Sequence, residues 1–103
     1  MIMNKLIAVL ALSVAMINPA MAASPEFCAQ ASETAEVIMR NRQTGVSVID
    51  MMKIANSSES TKKMLTGLIN EAFAEPAYST PEYQRKAIRE FGSQQYLMCL
   101  AAE

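Results

Sequence analysis

Two cysteines and no histidine set the chemistry open to this chain. Without histidine there is no imidazole acid/base catalysis, no Ser-His or Cys-His nucleophile pair, and no usual ligand set for a catalytic zinc. Cys28 and Cys99 stand 71 positions apart, whereas a catalytic dithiol places its cysteines two residues apart in an electropositive turn. They read instead as one structural disulfide. Among carboxylates, Glu71 and Glu75 lie one helical turn apart, a spacing a cell-wall hydrolase could use. On a helix with an apolar opposite face, such a pair is more often solvated surface.

Other side chains suggest binding rather than reaction. Arg40, Arg42 and Gln43 cluster before Gly45 at a helix end, where cations are favoured by the helix dipole and a partner could also be gripped. Tyr78 sits in a stiff loop between Pro76 and Pro81, as an aromatic contact residue on a surface would. Arg85, Lys86 and Arg89 are interleaved with Glu82 and Glu90 and read as a mixed solvated face. Met39, Met51, Met52, Met64 and Met98 lack the compact spacing of a copper site and read as core filling between helices. No cofactor or metal is expected.

The compartment follows from the first 22 residues, which read as an export signal. Lys5 gives the positive start, Leu6 to Ile17 an apolar stretch broken only by Ser13, and Ala20-Met21-Ala22 the small-x-small cleavage site. Crossing a bilayer core takes roughly 20 apolar residues, and this stretch reaches Asn18-Pro19 well before that. The mature chain is expected to begin at Ala23, in a periplasm or outside the cell, where disulfides persist. Removing Lys5 leaves eight basic against ten acidic side chains, a net charge of about −2. Such a balance gives no reason to expect nucleic-acid binding, and no stable membrane insertion is expected after cleavage.

These residues must be positioned by a single domain over 23–103, too small to build more than a thin core. Ser24-Pro25-Glu26 starts a helix that Gly45 stops, with Phe27 or Cys28, then Ala31, Ala35, Ile38 and Met39 inward and Glu33, Glu36 and Arg40 toward solvent. Ser47 caps a second helix to about Ala55, with Val46 set to pack on Met51. The run Asn56 to Ser60 offers caps to a third, whose pairs Met64/Leu65, Leu68/Ile69 and Ala72/Phe73 repeat every four residues until Pro76 ends it. Thr80-Pro81-Glu82 starts the fourth, running past Cys99, with Gly92 on its inner face allowing close helix approach. No segment alternates as a strand does. The expected fold is all-α, a bundle of about four helices in which the first and last lie antiparallel, stapled by Cys28–Cys99.

Cys28, Arg42-Gln43-x-Gly45 and Tyr78-x-x-Pro81 before a terminal Cys99 resemble small exported helical proteins of Gram-negative bacteria and their phages that carry no assigned function. In size, helicity and single disulfide the chain is also similar to periplasmic acid-stress chaperones of the HdeA type. The first resemblance implies a location. The second implies a chaperone that exposes its Met64 to Phe73 face in acid. The residues themselves favour a binding protein, an inhibitor or modulator with a protein partner at the Arg40 to Gly45 turn or the Tyr78 loop. Stress chaperone and carboxylate-based hydrolase are the alternatives.

Overall fold

The structure, a computed structural model, describes residues 24–102. The first 22 residues, read above as an export signal, and the cleavage point expected after them lie outside the described residues. Four helices and no strand are present among those described: α1 (Pro25–Thr44), α2 (Val48–Asn56), α3 (Lys62–Ala74) and α4 (Pro81–Ala101).

Each helix end has a local cause. The Phe27 N–H donates to Ser24 Oγ at 3.2 Å, and Pro25 follows with no N–H to satisfy. Gly45 stops α1 at φ 99°, a left-handed conformation that any Cβ would strain. Its N–H reaches Arg42 O, and the Val46 N–H reaches Asn41 O. Ser47 and Thr80 cap α2 and α4 by accepting from the Asp50 and Tyr83 N–H groups. The cap of α3 departs from expectation. Thr61 precedes it without a side-chain cap, because its hydroxyl is hydrogen-bonded to that of Ser58 at 2.5 Å. At the other end Glu75 turns extended before Pro76 and closes α3.

The main helix pair is α1 with α4, while α3 packs on α1 and α2 on α3. The first pair is antiparallel: Cys28 bonds Cys99 with Cα atoms 5.6 Å apart, and further along Ser32 Oγ donates to Gly92 O at 2.9 Å. One core joins all four helices through Ile38 and Met39, Met51 and Ala55, Leu68 and Ile69, and Phe91. Methionine serves as core filling at Met39 and Met51, and Met52 and Met64 pack against the cluster. Met98 differs from the expectation and lies exposed on α4.

At Gly92 a side chain of α1 lies against the backbone of α4. A Cβ built there would stand 2.5 Å from Glu36 Cγ and 2.8 Å from Glu36 Oε2. Glu36 therefore does not simply face solvent, as its place opposite the apolar stripe of α1 suggests; its stem lies over the bare backbone of α4 and is half-buried. Gly92→Ala is expected to lower stability by about 1 kcal/mol, because displacing Glu36 outweighs the gain in helix propensity. Adding Glu36→Ala removes the clash and should lift the double variant above the single one. Urea titrations of the three proteins check this, and a Gly92→Ala variant as stable as the parent would show that Glu36 moves away freely.

Candidate functional site

The loop 75–80 between α3 and α4 is held from below by the end of α1. Gln43 is 5% exposed, and both ends of its amide meet the loop. Its Nε2 donates to Pro76 O at 2.8 Å, and its Oε1 accepts from the Tyr78 N–H at 2.8 Å. The same Nε2 also lies 3.4 Å from Met39 Sδ. One residue earlier, Arg42 Nε donates to Glu75 O at 3.1 Å while its guanidinium sits 5.1 Å from the Phe73 ring centroid. From the other side Gln84 Nε2 donates to Tyr78 O at 2.8 Å. Loop backbone that helix and sheet cannot satisfy is thus satisfied by three side chains.

This clasp changes how the candidate residues are to be understood. Arg42 and Gln43 were expected as surface contacts of a helix end, but they act inward, on the loop that carries Tyr78. The buried amide of Gln43 positions the loop and offers no surface of its own. Arg40 is exposed on α1 and takes no part in the clasp. Arg42→Glu is expected to cost about 1 kcal/mol, from the lost ring contact and an anion at a helix C-terminus. A thermal melt checks it; an unshifted midpoint would mean that the guanidinium contributes nothing to the loop.

Above the clasp lies a groove of about 230 Å³ between the loop and α4. Buried Phe91 and half-buried Ala87 form its inner side. Glu75 and Tyr78 from the loop, and Tyr83, Lys86, Glu90 and Gln94 from α4, form the rim. The Tyr78 and Tyr83 rings are tilted by 39° with centroids 6.1 Å apart. Tyr78 is 36% exposed and Tyr83 55%, so the ring pair faces outward. Tyr83 and Gln94 carry no site reading in the sequence, and Lys86 and Glu90, expected as part of a mixed solvated face, stand on the groove rim. Positions 83, 87, 90 and 94 follow helical spacing and share one face, a signal that was masked by the charges beside it.

The remaining candidates go elsewhere. Glu71 is exposed and accepts from Gln95 Nε2 at 2.6 Å, a link between α3 and α4, while Glu75 belongs to the groove rim. Arg85 and Arg89 are exposed on α4. Among the described residues no group of three or more Cys, Asp or Glu gathers as metal ligands would, and no helix is long and apolar enough to cross a membrane. The arrangement is a preformed, aromatic-lined groove with charged edges. Its side chains offer two phenol rings, two carboxylates, an ammonium and an amide for contact.

No protein-family model matches the chain, and neither a curated protein nor a solved structure matches it.

Proposed function

We propose that this protein is an exported binding module, working in a periplasm or outside the cell, which takes hold of a protein partner through the Tyr78–Tyr83 groove. The observation that carries the reading is the clasped loop. The buried Gln43, Arg42 and the side-chain amide of Gln84 hold the loop backbone on which Tyr78 stands, so that it is offered beside Tyr83 in a set geometry. Binding to such a surface loses little conformational entropy, and aromatic anchors at preformed sites carry a large share of interface energy. Export is supported by the signal-like first 22 residues, and an oxidising compartment by the cysteine pair.

The oxidised mature chain, immobilised and exposed to periplasmic and secreted fractions, tests this against two variants. The parent is expected to retain a defined partner that Tyr78→Ala/Tyr83→Ala loses by at least ~tenfold, an effect in the range of two anchor residues. Arg40→Glu, which alters an exposed side chain outside the groove, should retain it. A partner held equally well by the tyrosine variant would place the interface on another face.

A further inference from the structure

Resting on that reading, we propose that the groove receives a basic side chain, arginine or lysine, from an extended segment of the protein partner. Four observations converge on a cation. Two exposed tyrosine rings stand together on the rim, and aromatic rings attract cations. Two carboxylates, Glu75 and Glu90, line the same groove against the single ammonium of Lys86. Among the described residues neither carboxylate has a hydrogen-bond or ion-pair partner, so both are open to a guanidinium or ammonium donor. The volume, about 230 Å³, falls below the ~300–1,000 Å³ of sites for drug-sized molecules and suits one long side chain, its methylenes against Ala87 and Phe91.

A neighbouring surface argues for a peptide rather than a free small cation. From Glu90 and Gln94 a shallower, more open depression continues over α4 past Ser93 to Leu97, which is 64% exposed. Lys86 and Arg89 flank it and disfavour a second cation there. The two surfaces together set a register, with the basic residue in the groove beside the tyrosine pair and an apolar neighbour on Leu97.

The probes are the peptide acetyl-Ala-Arg-Ala-Leu-Ala amide, its counterpart with Gln for Arg, and arginine amide alone, each titrated into the oxidised mature chain. The readout is the proton NMR of the tyrosine rings. The chain has three tyrosines, and Tyr96 lies outside the groove as an internal reference. The arginine peptide is expected to shift Tyr78 and Tyr83 saturably and leave Tyr96 unmoved. The glutamine peptide should bind at least ~tenfold more weakly, and Tyr83→Ala and Glu90→Gln should each weaken the arginine peptide by ~3–10-fold. Both are exposed positions, so the variants should keep the parent's helical circular dichroism. Equal binding of the glutamine peptide, or no tyrosine shift up to ~50 mM arginine peptide, overturns the proposal. Arginine amide binding as tightly as the peptide overturns its peptide half. Should the arginine peptide fail while capture of a protein partner still requires Tyr78 and Tyr83, the cation assignment falls and the binding module stands; should capture be tyrosine-independent too, both fall.

Discussion

Replacing Cys28 and Cys99 together by serine is expected to remove about 4 kcal/mol of stability, because the bond closes 71 residues of chain and the loop-entropy relation gives that magnitude for so long a loop. The location reinforces the number. Cys28 is fully buried at the start of α1, outside the residue cluster that joins the four helices, so the end of the α1–α4 pair depends on the cross-link more than on apolar burial. In a domain this small a loss of that size lowers the melting midpoint by ~20 °C or more, and the variant should be largely unfolded near 37 °C. Circular dichroism melts of the oxidised parent, the parent under dithiothreitol and the double serine variant supply the check. The reduced parent and the variant should behave alike. A midpoint within a few degrees of the oxidised parent would mean that core and helix caps suffice, and that the cysteines serve another purpose.

The helices were legible in the sequence because their boundaries are made by neighbours along the chain. Ser24-Pro25, Gly45, Ser47, Pro76 and Thr80-Pro81 each act within one turn of themselves, and the observed ends fall within a residue or two of the expected ones. The disulfide was legible because the chain has just two cysteines, far apart in sequence, behind a segment that reads as an export signal, and the antiparallel placing of α1 and α4 followed from it. Contacts across the fold were less so. Glu36 looked solvent-facing by its place on α1, and only the absence of a side chain at Gly92 on another helix gives it a partly covered seat. Nor does a helical wheel tell that Gln43 is buried. An amide on the inner stripe of α1 is tolerated only because Pro76 and Tyr78, more than 30 residues later, supply an acceptor and a donor. The groove was half legible: Tyr78 stood out between its prolines, whereas Tyr83 and Glu90 belong to the site because the clasp sets the loop beside α4.

That dependence makes Gln43→Leu the most informative single change. Leucine keeps roughly the volume but cannot bond the Tyr78 N–H, Pro76 O or Met39 Sδ. Removing a buried partner costs about 1–3 kcal/mol per group left unsatisfied, and because Pro76 and Tyr78 are exposed, water takes over part of the debt once the loop lifts. The expected result is therefore divided: a global loss of about 2 kcal/mol, and a larger local effect on the loop. Hydrogen exchange of the Tyr78 amide should accelerate by at least ~tenfold beyond what the global loss explains, while amides of α1 and α4 near the disulfide change only with overall stability. Partner affinity should fall although no rim residue has been altered, since the tyrosines must then be ordered at the moment of binding. Gln43→Glu separates the roles further, for it retains the acceptor for Tyr78 and loses the donor to Pro76 O, and should leave Tyr78 better protected than leucine does. If Gln43→Leu lowers stability while Tyr78 exchange and partner affinity follow the parent, the loop holds its shape without the clasp, and Gln43 is a core residue with no bearing on recognition.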